Sequence, residues 1–327
     1  MLLPHQIDFA TEQLIYLPTS RPKIKEASFL DGRTDFANGS PVVGRFDELL
    51  SYPISHTEPN RYIFHIGFCG STFLSRLIDS PGHSLVLREP NVLAALANVR
   101  AAIDRGEVIE GRFDSLLNAT RALLNRSWTP NERVVIKPSN WANNLVQILC
   151  GASSTIRPLF LTMNRSSFLH AVLRGGSPRL AFAARAAVHL SSLCDQDSAL
   201  VSAALNEGTD IEKLLKVALA LHHIQVSLFK RVAYVGNWSA ENSLTFDELQ
   251  ADPKLAARKA ATALDIQISD EAIVSNLKRW SSSNAKDPIT PYSVNEEKHA
   301  ISRLVVANTP LIDNALRWAE TAIDAKK

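Results

Sequence analysis

The chain has 327 residues, 46% of them hydrophobic and 21% charged, which is the balance of an ordinary globular protein with a sizeable core. Its 35 Lys and Arg against 33 Asp and Glu leave a net charge of +2, so nucleic acid and membrane surfaces are not expected partners, and any anion must be held by a local site. Cys69, Cys150 and Cys194 are odd in number, far apart and without metal-ligand spacing, so free thiols and no metal are expected.

The opening MLLPHQIDFATEQLIYLP has no basic start followed by an apolar run, and no window reaches the 18 apolar residues of a spanning helix. A cytoplasmic protein without a membrane segment is the expectation. Residues 1–58 are rich in Pro, Ser, Thr, Asp and Gly and read as an irregular arm with one short helical stretch near Phe46 to Leu50. The organised part, 59–327, begins with Arg61 to Ile66, a short aromatic and β-branched run that predicts a buried strand.

Further strands are predicted at Ser84 to Leu87, Arg133 to Ile136, Pro158 to Thr162, and either Val232 to Val235 or Leu244 to Phe246. Helical patterns fall between them, at Ser71 to Ile78, Asn91 to Ile103, Ser115 to Asn125, Trp141 to Leu149 and Ser166 to Leu173. Alternation of this kind implies an α/β protein: three layers, with a mainly parallel central sheet. Residues 179–231 read as a wholly helical insertion, with Asp210 as the N-cap of its second helix. Asp252-Pro253 predicts another helix start, and a last helix begins at about Asn295.

The strongest chemical signal is Ile66-Gly67-Phe68-Cys69-Gly70-Ser71-Thr72, where a strand ends in a tight turn that opens a helix. Two glycines let successive N–H groups converge on one anion, and the hydroxyls of Ser71 and Thr72 can donate to phosphate oxygens. The Lys of the GxxxxGK[ST] pattern is missing, which argues against ordinary ATP or GTP hydrolysis. A plain strand-to-helix turn is the alternative. Cys69 fits a small filler of the turn better than a nucleophile, because alternation points His65 away from it.

This turn resembles the phosphate-loop sulfotransferase family, in which a [RK]-S-G-T-[ST] turn binds the 5′ end of 3′-phosphoadenosine 5′-phosphosulfate. Here Phe68 stands at the basic position. The resemblance continues in chain order. Glu89, after the second strand, matches an acidic residue that deprotonates the acceptor, and its neighbour Arg88 would pair with it or grip the sulfonate. Lys137, followed by Ser139 and Asn140 after the third strand, matches a segment lining the acceptor and sulfonate. There Lys137 would supply the charge that Phe68 lacks. Thr162 and His170 match the positions that hold the 3′-phosphate, with Arg165 close enough to substitute. Ser243 to Pro253, then Ala263 to Ile266, match a late strand–turn–helix segment, and Lys286 lies where the family closes a basic loop over the nucleotide.

The resemblance implies transfer of a sulfonate from 3′-phosphoadenosine 5′-phosphosulfate to a hydroxyl or amine of a small-molecule or peptide acceptor. Glu89 and Lys137 would be catalytic. Gly67, Phe68, Cys69, Gly70, Ser71, Thr72, Arg165, His170 and Lys286 would hold the co-substrate, and Arg88, Ser139 and Asn140 the acceptor. Two other readings stay open: a degenerate, non-catalytic protein that binds a phosphorylated ligand or a partner, and a nucleotide-dependent phosphoryl transferase on the same scaffold.

Overall fold

A computed structural model describes residues 1–51, 59–107, 111–151, 156–281, 283–284, 287–291 and 294–324. The chain separates into two compact units, residues 1–161 with 238–292, and residues 162–237 with 293–327.

Residues 1–51, expected to be irregular, carry regular structure. Strands β1 (Leu2–Asp8), β2 (Gln13–Pro18) and β3 (Val42–Arg45) form an antiparallel sheet in that order, with helices α1 (Arg21–Glu26) and α2 (Phe46–Ser51). The prolines that masked this sheet sit where a sheet tolerates them. Pro4 lies on the edge strand β1 beside a register shift, and Pro18 ends β2. Leu3, Ile7 and Leu14 are buried and give the small sheet its apolar face.

The first unit continues with β4 (Asn60–His65), α3 (Ser71–Leu77), β5 (Ser84–Arg88), α4 (Asn91–Asp104), α5 (Phe113–Leu124) and β6 (Arg133–Lys137). A 3₁₀ turn at Asn140–Leu145 follows, then α6 (Val146–Gly151) and β7 (Ile156–Thr162). The single helix predicted from Trp141 thus begins as 3₁₀ and becomes α-helical only at Val146. Later in the chain lie β8 (Ser243–Thr245), α11 (Phe246–Ala251), α12 (Pro253–Ala263) and α13 (Asp270–Trp280). The five-stranded sheet runs β5-β6-β4-β7-β8, and β4 pairs in parallel with both β6 and β7, as β5 does with β6. The expected α/β architecture with a mainly parallel sheet is therefore present.

Every residue of β4 and β5 is buried, as befits strands covered on both faces. Tyr62, Phe64 and Phe160 stack across β4 and β7, with ring centroids 5.2 and 5.8 Å apart. Leu244 lies in β8, whereas Val232 to Val235 end a helix, which settles the two predicted alternatives. Asp252 caps α12 as expected, its carboxylate accepting from Leu255 N at 2.9 Å.

The second unit is helical. It contains α7 (Arg165–Arg174), α8 (Gly176–Ser191), α9 (Asp195–Asn206), α10 (Asp210–Val235) and α14 (Val294–Ala322). Thr209, one residue before the expected Asp210, is the N-cap of α10, and its amide donates to Glu212 Oε2 at 2.7 Å. No helix among the described residues is long and apolar enough to cross a membrane.

Candidate functional site at the carboxyl edge of the sheet

Three neighbouring parallel strands, β5, β6 and β4, end side by side. The side chains just at or beyond their ends converge. Lys137, the last residue of β6, donates to Glu89 Oε1 at 2.6 Å from the next residue after β5. On the other side its Nζ lies 3.2 Å from His65 Nε2 at the end of β4, and His65 Nε2 is 4.0 Å from the same carboxylate oxygen. The carboxyl edge of a parallel sheet is where α/β proteins place their ligands.

The backbone builds this cluster deliberately. Glu89 N donates to Lys137 O at 2.6 Å, extending the β5–β6 ladder by one residue before the chain turns away. Glu89 then adopts φ 56°, a left-handed conformation that costs a residue with a Cβ about 1–2 kcal/mol. Phe68, in the turn after β4, does the same at φ 57°. Neither is Asn or Asp, the side chains that tolerate this region, so both positions hold strain of the kind found at functional sites.

Lys137 is 0% exposed. Burial lowers its pKa from the ordinary lysine value, against the opposing attraction of Glu89. Lys137 was expected to neutralise the transferring group. Its ammonium lies against the Glu89 carboxylate.

His65, read from alternation as pointing away from where Cys69 would react, has its ring on Gly67 and Pro138, while Cys69 Sγ lies against Leu161 O. Gly67 N donates to His65 Nδ1 at 3.1 Å, and Nε2 lies 3.0 Å from Pro138 O. The ring therefore ties the Gly67 turn to the chain after β6. Asn143 Nδ2 donates to His65 O at 3.1 Å, and Asn140 Nδ2 to Ile66 O at 3.4 Å, so the 3₁₀ turn braces the same segment. Asn140, expected to touch the acceptor, is buried against Gly67. Any Cβ on Gly67 would stand 2.9 Å from the Asn140 amide nitrogen. Ser139, also assigned to the acceptor, caps the 3₁₀ turn by accepting from Trp141 N at 3.4 Å.

In the turn itself, Gly67 and Gly70 have φ 82° and 78°, which explains both glycines. Ser71 and Thr72 are 5% and 3% exposed, and a Cβ on Gly70 would meet Leu249 Cδ2 at 2.9 Å. Cys69 is fully buried with Sγ 3.7 Å from Leu161 O, and burial pushes its thiol up to about 11. It fills the turn.

Arg88 corrects a further expectation. Its guanidinium is fully buried, donating to Asp79 at 2.6 Å and to the carbonyls of Ile24, Lys25 and Ala27, so it does not reach a substrate. Arg165 and His170 belong to the second unit. Arg165 donates to both carboxylate oxygens of Asp324, at 2.9 and 3.1 Å. His170 is half-buried with Nε2 3.5 Å from the Ser166 hydroxyl, and burial lowers its pKa. Lys286 lies outside the described residues.

One participant comes from the segment read as irregular. Arg33 Nη2 is 3.2 Å from Glu89 Oε2, and the guanidinium also engages Asp31 at 2.5 and 2.6 Å. Arg33 stacks 4.0 Å over the Phe29 ring, whose centroid lies 6.0 Å from Lys137 Nζ. Among the described residues no group of three or more His, Cys, Asp and Glu is placed to hold a metal.

No protein-family model matches the chain, and no curated protein matches it. Among solved structures it is similar to the sulfotransferase domain from the curacin biosynthetic pathway, at 11% identity and a TM-score of 0.40, over 78% of this chain and 99% of that domain.

Proposed function

We propose that the protein is a sulfotransferase-like enzyme that moves a sulfonate from 3′-phosphoadenosine 5′-phosphosulfate to a hydroxyl or amine acceptor. The observation that carries this reading is the Glu89 carboxylate at the carboxyl edge of the parallel sheet, held at 2.6 Å by a fully buried Lys137. An oriented carboxylate beside the ligand crevice is the equipment of a general base. The ordered series of sequence motifs from Gly67 to Pro253 supports the same assignment.

In this reading Glu89 accepts the proton of the acceptor as its oxygen or nitrogen bonds to sulfur. The bond from sulfur to the phosphate oxygen breaks at the same time, and the phosphate departs with the electron pair. Lys137 and His65 keep the base and the turn in register, so that catalysis rests on positioning. In this reading the turn from Gly67 to Thr72 would meet the nucleotide's phosphate end.

A second reading, a non-catalytic binder of a phosphorylated ligand or a partner, is favoured by Phe68 in place of a basic residue in the turn and by Thr162 and His170 at the positions matched to the 3′-phosphate. One experiment separates the two. Purified protein is screened with labelled sulfonate donor against phenols, sugars, amines and peptides. Wild-type transfer should fall about a hundred- to ten-thousand-fold in Glu89→Gln, measured under conditions where circular dichroism shows the variant folded, with nucleotide affinity nearly unchanged. Donor binding without transfer to any acceptor selects the second reading, and absence of donor binding removes the first.

A further inference from the structure

We propose that Arg33 is the residue that receives the donor's sulfonate, and that its departure from Glu89 uncovers the base; this rests on the sulfotransferase-like reading. The two oxygens of Glu89 are held by different cations. Oε1 faces the fully buried Lys137 at 2.6 Å, and Oε2 faces Arg33 at 3.2 Å. Lys137 is packed in on all sides and cannot follow a ligand. Arg33, by contrast, has a side chain 59% exposed.

The root of the Arg33 loop is fixed. Buried guanidinia of Arg76 and Arg88 hold the carbonyls of residues 24–27, and Leu30 exchanges backbone hydrogen bonds with Arg88 O and Asn91 N. Beyond Leu30 the chain turns at Gly32, φ 93°, and delivers Arg33 to Glu89. Phe29 carries one face of the guanidinium at 4.0 Å, which leaves the edge with its N–H donors to work. Nε and Nη2 contact Asp31 and Glu89, and Nη1 makes no hydrogen bond among the described residues.

Charge explains why a sulfonate would draw Arg33 away. Lys137 and Arg33 are offset by Glu89 and Asp31, so the cluster as it stands has no positive charge left for an incoming anion. Phe68 supplies none. A planar guanidinium suits an oxyanion with two donors in a fork, and the stacked ring keeps it oriented while it exchanges partners. Moving from Oε2 to the sulfonate would give the anion its counter-charge and leave Oε2 free to accept the acceptor's proton.

The test is calorimetric binding of two nucleotides, 3′-phosphoadenosine 5′-phosphosulfate and adenosine 3′,5′-bisphosphate, which differ by the sulfonate. Arg33→Ala should weaken the sulfonated nucleotide by about ten-fold or more and leave the bisphosphate within about two-fold. Arg33→Lys should recover part of the loss. Asp31→Asn, which releases a competitor for the guanidinium, should tighten the sulfonated nucleotide by about two- to five-fold, a gain that a merely structural role would not produce. If wild type prefers the sulfonated nucleotide and Arg33→Ala binds it equally well, the assignment of Arg33 is overturned and the enzyme reading stands. An equal loss on both nucleotides also overturns it, since Arg33 would then contact a shared phosphate. If wild type binds neither, the enzyme reading falls, and Arg33 with it.

Discussion

The amide of Gly67 donates to Nδ1 of His65, two residues back, at 3.1 Å. That bond makes Nδ1 an acceptor and places the ring's proton on Nε2, where Pro138 O accepts it at 3.0 Å. Lys137 Nζ has no lone pair while it is an ammonium, so the proton goes to the carbonyl. Long-range ¹H–¹⁵N spectra at neutral pH should show the Nε2–H tautomer for His65. A protonated Nδ1 would contradict this account of the turn.

Lys137 and Glu89 make a second prediction, on stability. Glu89→Gln leaves a fully buried lysine without its counter-ion, and should destabilise the fold by roughly 3–5 kcal/mol in urea unfolding. Combining it with Lys137→Met should recover most of that loss, because the uncompensated charge is then gone. An additive double variant would mean that the pair is not coupled.

Gly70 is under two constraints, φ 78° and the approach of Leu249 Cδ2 to within 2.9 Å of any Cβ. Gly70→Ala should cost roughly 1–3 kcal/mol from the left-handed backbone and displaced leucine together, and Gly70→Val more. An unchanged melting temperature for Gly70→Ala would show that neither constraint holds.

The two buried cysteines, Cys69 and Cys150, should be inert in the native protein. Burial pushes Cys69 up to about 11 and Cys150 up to about 12, so neither is a thiolate near neutrality. Site-resolved mass spectrometry after iodoacetamide at pH 8 should find both unmodified until denaturant is added, and Cys69→Ser should retain at least half of any transfer activity.

The second unit should lose stability in acid through His222. Its Nε2 lies 2.9 Å from Met163 O, its Nδ1 is buried without a hydrogen-bond partner among the described residues, and burial lowers its pKa from 6.5 to about 4. The unfolded chain therefore binds the proton first. The contribution is complete above pH 6.5 and is lost as pH falls towards 4, reaching roughly 3 kcal/mol. His222→Phe should flatten the urea midpoint against pH over that window. The same slope in both proteins would assign the acid sensitivity elsewhere.

Strand and helix alternation from Arg61 onward was legible because it rests on local patterns: apolar runs of strand length, a Gly-bracketed turn, an Asp-Pro helix start. Glu89 and Lys137 were legible for a related reason, since parallel strands of similar length bring their ends to one edge. Three things were decided only by tertiary structure. Arg88 and Glu89 are adjacent in the chain, yet one is drawn to Asp79 in the core and the other turned to the edge by a positive φ, and no local rule separates them. His65 meets the turn because Gly67 folds back on it, which alternation along an ideal strand does not anticipate. Arg33 reaches Glu89 across 56 residues of chain, its loop held by Arg76 and Arg88 through backbone carbonyls that any sequence would present. Contacts of that kind leave no pattern in the sequence that makes them.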